Sequence, residues 1–169
     1  MADANAVVAI VLRFFHILFG IAWIGAVFYG VGVLRRVMPR VDPAARKALM
    51  KQLIPVVTRY LPGSAFMTIL LGVILYLWIA GFNATYLLSA WGVVLLVGLV
   101  LAIVAFAIGL VFGIGTAKKM LVHFNEEACT HGPEVGALTA RFNLSQVVVL
   151  VLGFAIIATM ILATTHALG

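Results

Sequence analysis

The chain of 169 residues has little charge, since Asp, Glu, Lys and Arg make up only 9% of it. Apolar residues make up 65%, and the mean hydropathy is +1.24. Soluble domains carry roughly 25% charged residues, so this chain lacks the polar surface that a water-facing globule needs. The composition predicts an integral membrane protein. About four spans of roughly 20 residues would use up the chain and leave no room for a separate soluble catalytic domain.

Other absences narrow the possible chemistry. The single cysteine, Cys129, excludes an intrachain disulfide framework, and it excludes a zinc ribbon or an iron–sulfur cluster held by this chain alone. The sequence contains no Walker loop, dinucleotide fingerprint, nucleophile elbow or HExxH motif. No acidic residue falls within a predicted span, which argues against a carboxylate proton relay.

The apolar runs predict an all-α fold, an antiparallel four-helix membrane bundle forming one domain over residues 1–169. The spans are expected at 13–34, 61–82, 88–117 and 144–165, with loops at 35–60 and 118–143. The charge-free run between Arg13 and Arg35 would cover about 31 Å as a helix, the thickness of the hydrocarbon layer. Asp42 and Pro43 predict the start of a short helix in the first loop. Pro62 is expected to lie in the first turn of span two. Gly132–Pro133 predicts the end of a helix.

The basic residues set the orientation. Ten of the eleven Lys and Arg residues lie in the two predicted loops at 35–60 and 118–143, whereas the link at 81–87 has none. The positive-inside rule therefore makes both loops cytoplasmic and puts both termini outside, in the inner membrane of a prokaryotic-like cell. We interpret the basic charge as a topology signal rather than as a specific lipid- or protein-binding surface, and we expect no nucleic-acid partner.

Histidines are the candidate functional residues, because an imidazole inside lipid is costly. His16 lies within span one. His166 ends span four on the same side of the membrane, about one helical turn, or 5 Å, away in depth. Two neutral imidazoles on facing helices are a natural axial pair for a b-type haem. Gly20 would leave room for the ring, Trp23 would form its floor and Arg13 would pair with a propionate.

Simpler interpretations stay open at each of these positions. His16 can hydrogen-bond a neighbouring helix, and a terminal histidine such as His166 can sit in the headgroup region. Small residues four apart in spans one and three are typical of close helix packing; they are Ala22, Ala26 and Gly30 in span one, and Gly109 and Gly113 in span three. In the second loop, His123, Glu126, Glu127, Cys129 and His131 resemble a spaced metal-donor set, but we interpret them as a solvated surface.

The stretch LRFFHILFGIAWIG, residues 12–25, resembles the first span of small membrane proteins related to copper-resistance protein D (CopD) and to the membrane domain called urate oxidase N-terminal. The matching positions are Arg13, His16, Trp23, Ile24, Gly25 and Tyr29. The resemblance implies a haem- or copper-binding role for His16. It does not extend to the cytochrome c module of some urate-type proteins, since C-x-x-C-H is absent. Phe142 also stands where the urate-type pattern has a histidine.

Three functions are compatible with these observations. The leading hypothesis is a haem b protein for electron transfer or redox sensing, possibly an oxidoreductase subunit, with His16 and His166 as ligands. The second is a CopD-like copper-handling protein with copper at the same histidines. The third is a cofactor-free accessory subunit that packs through its glycine faces. The expected partners are the lipid bilayer and either a second copy of the chain or a redox protein of the membrane or periplasm.

Overall fold

The computed structural model describes residues 2–126 and 132–166, and within these ranges the chain is helical without strands. Four long helices are apolar enough to cross a membrane, which confirms the all-α class and the predicted number of spans. We number them α1 to α4. Helix α1 comprises Ala2–Tyr29, a π-helical turn Gly30–Leu34 and Arg35–Val37; α2 is Pro43–Ala80; α3 comprises Ala90–Ile108, a π-helical turn Gly109–Ile114 and Gly115–Asn125; and α4 is Gly132–His166.

Helix α2 begins where the sequence predicts a cap, but it is much longer than expected. The Asp42 carboxylate accepts hydrogen bonds from the backbone N–H groups of Ala44 and Ala45, at 2.9 and 3.1 Å, and Pro43 takes the first helical position. The helix then runs without a break to Ala80, so the predicted loop helix and span two are one element. Pro62 lies inside this helix, and the prediction that it opens the span is wrong.

Side-chain hydroxyls bond backbone carbonyls near the two internal prolines of α2. Each proline lacks an N–H group and leaves a carbonyl one turn earlier without its helical donor. Around these positions the Ser64 hydroxyl donates to the carbonyls of Tyr60 and Leu61, at 2.9 and 3.1 Å, and the Thr58 hydroxyl donates to that of Pro55 at 3.1 Å. These bonds go to other carbonyls than those of Lys51 and Thr58, which Pro55 and Pro62 leave without a helical donor. Gly132–Pro133 opens α4 instead of stopping α3, which ends at Asn125, so the prediction of a helix stop at this position is wrong.

The link between α2 and α3 is a tight turn, as predicted. Gly81 and Phe82 have positive φ angles of 56° and 57°, and a short helix, Ala84–Leu87, follows. The Tyr76 hydroxyl donates to the carbonyl of Leu87 at 2.8 Å, and its ring stacks on Trp91 at 5.8 Å. We call this side of the molecule, where α1 begins and α4 ends, the link end. The opposite side, with residues 35–51, 118–126 and 132–141, is the basic end.

The four helices meet in one apolar core. Helix α1 packs along α2 and α3 packs along α4, each pair antiparallel, and α1 also contacts α4 while α2 contacts α3. Each helix contributes to the buried cluster, which consists of Trp23, Val27, Ala65, Ala105 and Val149. A second cluster at the basic end consists of Ile54 in α2 with Ala117 and Met120 in α3, and Leu138 and Phe142 of α4 pack against it. These three helices therefore continue past the first core as a packed extension.

Candidate functional site

His16 lies on the face of α1 that packs against α2. Its Nδ1 atom is 2.8 Å from the backbone carbonyl oxygen of Thr68, and its side chain is half-buried. A carbonyl oxygen can only accept, so Nδ1 carries the proton and donates this hydrogen bond. In the neutral imidazole Nε2 is then the nitrogen with a lone pair. The contact fixes both the tautomer and the orientation of the ring.

A glycine in α2 makes room for the ring. A Cβ atom at Gly72 would lie 2.8 Å from Cε1 and 3.1 Å from Nδ1 of His16, closer than real Cβ contacts allow. Gly72 is thus required for the imidazole to reach the carbonyl of Thr68. Neither α2 residue was singled out by sequence analysis. The available signal was their spacing of four in span two, which brings a small side chain and a glycine to one helix face.

The other predicted residues of span one have different surroundings. Gly20 faces α2 one turn after His16, and a Cβ there would be 3.7 Å from the Thr68 methyl group. Trp23 is 5% exposed and belongs to the central core. Arg13 is exposed at the link end of α1. His16 and Gly20 of α1 therefore both face α2, whereas Trp23 lies inside the bundle. The roles of these residues toward a cofactor stay predictions.

His166 ends α4, and its side chain lies outside the described part of the chain. The position of α4 along α1 follows from Gly153 of α4, where a Cβ would be 2.7 Å from Cδ1 of Ile24 in α1. His166 follows Gly153 by 13 residues and His16 precedes Ile24 by eight. At 1.5 Å per residue the backbone of His166 therefore lies about 7.5 Å farther toward the link end than that of His16. Its proposed ligand role is not tested by these contacts.

The interior of the bundle is nearly filled. An internal cleft of about 30 Å³ is walled by all four helices, with Trp23, Pro62 and Gln146 among its lining, and His16 does not line it. That volume is about the share of one water molecule, whereas ligand pockets usually measure about 300–1,000 Å³. The cleft cannot hold a porphyrin. A macrocycle on His16 has to use the half-exposed side of the imidazole.

The predicted donor set at the basic end is only partly described. His123 is 14% exposed; its Nε2 atom lies 3.5 Å from a Glu134 carboxylate oxygen and its Nδ1 atom 4.0 Å from one of Glu126. The two carboxylates thus approach opposite ring nitrogens, and His123 is more buried than the predicted solvated surface. Glu127, Cys129 and His131 lie outside the described residues. Across residues 2–126 and 132–166 no three His, Cys, Asp or Glu side chains are grouped to hold a metal ion.

Small residues of span three serve packing within the bundle, as the simpler interpretation predicts. A Cβ at Gly113 would be 3.0 Å from Nε2 of Gln146 in α4, and one at Gly109 would be 3.9 Å from Val149. In α1, by contrast, a Cβ at Gly25 or Gly30 would meet nothing within 4 Å. Gly109 and Gly113 of span three therefore face α4, while Gly25 and Gly30 of span one are open.

Compared with known protein families, curated proteins and solved structures, the chain matches none.

Proposed function

We propose that this chain is a multi-pass protein of the cytoplasmic membrane that holds a b-type haem through Nε2 of His16 and serves electron transfer or redox sensing. The observation that supports it best is the 2.8 Å contact between Nδ1 of His16 and the Thr68 carbonyl. Histidines that bind metals characteristically donate their second ring nitrogen to a carbonyl or carboxylate, which fixes the tautomer and increases ligand basicity.

The residues around His16 fit this role in part. The ring is oriented before any ligand binds, and Arg13, three residues earlier, is exposed on the link-end side, where it can pair with a propionate. His166 is the proposed second ligand, from the end of α4. A haem bound there supplies a reversible one-electron couple. The chain itself holds the imidazole in position, and the packing of His16 on Gly72 covers one side of the ring.

The orientation is part of the proposal. Ten of the eleven basic residues lie between Arg35 and Arg59 or between Lys118 and Arg141, the two predicted loop regions of the basic end. By the positive-inside rule that end is cytoplasmic, so His16 lies in the outer half of the membrane. A redox partner would then approach from the outer side.

An absorption spectrum of the purified protein in detergent tests the haem proposal. We expect a Soret band and split visible bands on reduction, and we expect the His16→Ala variant to lose them while keeping its helical circular dichroism. His123→Ala is the matched control and should retain the spectrum, because His123 lies at the opposite end. A colourless protein without haem overturns the proposal. Copper bound in proportion to the chain, without a Soret band, would replace haem with the copper-handling alternative.

A cofactor-free accessory subunit is the second candidate, and one observation favours it. Gly25 in α1 and Gly63 in α2 are both exposed, and a Cβ on either would meet nothing within 4 Å. The contacts of His16 with Gly72 and of Gly20 with Thr68 put these two glycines at the same level on adjacent helices. Each exposed glycine lets another helix approach the backbone of its own helix closely. Co-purification of a partner that Gly25→Leu abolishes, with no haem in either preparation, would support this function.

A further inference from the structure

Arg59 lies deeper in the bundle than the other basic residues of its segment. His16 packs on Gly72 and Gly20 on Thr68, and this antiparallel register puts Arg35 of α1 level with residue 53 of α2. Arg59 follows that level by six residues, so its backbone is about 9 Å farther toward the middle of the spans. The sequence predicts Arg59 in a loop at 35–60, but the uninterrupted helix α2 continues through this position toward the apolar core.

The outward face of α2 leaves Arg59 beside the lipid. Val56 is 62% exposed, Tyr60 48% and Phe66 54%, and Arg59 is exposed among them. Pro55, Val56, Arg59 and Tyr60 line an open groove on this face. The Tyr60 hydroxyl donates to the carbonyl of Ala22 at 3.4 Å, which ties the tyrosine to α1. The groove therefore has one fixed aromatic wall and one charged residue.

In the described part of the chain no carboxylate lies close enough to neutralise this charge. An arginine keeps its charge inside a protein, and within lipid a charged group needs a partner. Within the described ranges Arg59 forms no ion pair. The register puts Arg59 level with Gly113 of α3 and Gln146 of α4, so Glu126 and Glu134 lie about 18 Å or more away along the helix axes. A second copy in the same orientation has its carboxylates at the same depths and cannot supply the partner.

We propose that the groove at Arg59 binds the phosphate of an anionic glycerophospholipid from the leaflet at the basic end. Helical side chains lean toward the helix N-terminus, which for α2 points to the basic end, so the guanidinium reaches back toward the headgroup layer. A guanidinium binds a phosphate through two parallel hydrogen bonds. Gly63, exposed and with open space above it, leaves a gap beyond Tyr60 in which an acyl chain can lie.

The surrounding charge selects an anionic lipid over a zwitterionic one. A headgroup ammonium needs an acceptor, but Arg35 and Lys51, which lie toward the basic end from Arg59, repel a cation. A headgroup without an amine, such as that of phosphatidylglycerol, avoids this repulsion. The proposal does not depend on haem binding, since the groove is built from α2 and shares no residue with the His16 site.

Native mass spectrometry of the detergent-solubilised full chain, titrated with phosphatidylglycerol or phosphatidylcholine of identical acyl chains, tests the proposal. We expect the wild-type protein to retain phosphatidylglycerol preferentially and Arg59→Gln to bind it about tenfold more weakly, because the charge-assisted contact is lost. Arg36→Gln, which removes an exposed charge of the basic end, is the matched control and should bind within about twofold of wild type. Arg59→Lys keeps the positive charge but loses the planar guanidinium that donates two parallel hydrogen bonds, so its affinity for phosphatidylglycerol should lie between those of wild type and Arg59→Gln.

Several results would overturn this inference. Equal losses in Arg59→Gln and Arg36→Gln would mean that general surface charge attracts the lipid. Equal retention of phosphatidylcholine would remove the anionic selectivity, and a wild-type protein without retained lipid would remove the site. An acidic partner subunit that co-purifies through Arg59 in place of lipid would identify a different counter-charge. All variants are compared only after circular dichroism and a single size-exclusion peak show that they fold, and the readout is independent of haem content.

Discussion

His16 and Gly72 form a matched contact across the interface of α1 and α2. The imidazole occupies the space that a side chain at position 72 would fill, and this position brings its Nδ1 atom to 2.8 Å from the carbonyl of Thr68. The same contact gives the register of the two helices. It therefore determines both the free nitrogen of His16 and the depth at which Arg59 lies.

Replacing Gly72 with alanine should displace the imidazole. The new Cβ would lie 2.8 Å from Cε1 of His16, so the ring must rotate or the helices must separate, at a cost of about 1–3 kcal/mol. We expect a lower melting temperature in detergent and weaker or altered haem absorption. Gly63→Ala is the control, because a Cβ at that position meets nothing within 4 Å. Equal melting temperatures of Gly72→Ala and wild type would contradict the packing described for His16.

Close packing of α3 on α4 gives a second prediction. A Cβ at Gly98 would lie 2.6 Å from the Thr159 hydroxyl oxygen, which donates to the carbonyl of Ile156 at 2.7 Å. Threonine is stiff at its first side-chain torsion, so Gly98→Ala should cost about 1–3 kcal/mol. At Gly153 the nearest atom is the end of the flexible Ile24 side chain, at 2.7 Å, so Gly153→Ala should cost less.

A double-mutant cycle separates this clash from other effects of the alanine. Thr159→Ala removes the hydroxyl, so the cost of Gly98→Ala should shrink in that background. The free energy of unfolding, measured by denaturant titration in detergent, gives the coupling between the two positions. Purely additive effects would mean that Gly98 and Thr159 do not meet.

The sequence predicted the four helices because long apolar runs and sparse charges are strong signals. It predicted their ends less well. Asp42 and Pro43 mark the start of α2, but Pro62 lies inside the helix instead of opening a span, because a proline does not have to end a membrane helix. His16 was found from the cost of burying an imidazole. Its partners Thr68 and Gly72 were missed, since a backbone carbonyl acceptor and a glycine gap depend on the register of two helices that no single run encodes.

The N-terminal cap of α2 should stabilise the first turn of this helix rather than the whole fold. Asp42 satisfies the amides of Ala44 and Ala45, and its replacement by alanine should cost about 0.5–2 kcal/mol. The loss should appear as faster hydrogen exchange in the first turn of α2, with little change around Ser64 in the middle of the helix. Asp42→Asn keeps an acceptor oxygen and should exchange nearly as slowly as wild type. Unchanged exchange in Asp42→Ala would show that the cap contributes little.

The single cysteine makes the orientation directly measurable. Cys129 lies in the loop that the sequence predicts at 118–143, among basic residues that the positive-inside rule makes cytoplasmic. If that loop is cytoplasmic, a membrane-impermeant maleimide should label Cys129 in inverted vesicles but not in intact cells. The reverse pattern is expected for Ala84→Cys in a Cys129→Ser background, because Ala84 is exposed at the link end. Labelling of Cys129 in intact cells would invert the topology, placing His16 in the inner half of the membrane and the Arg59 groove in the outer leaflet.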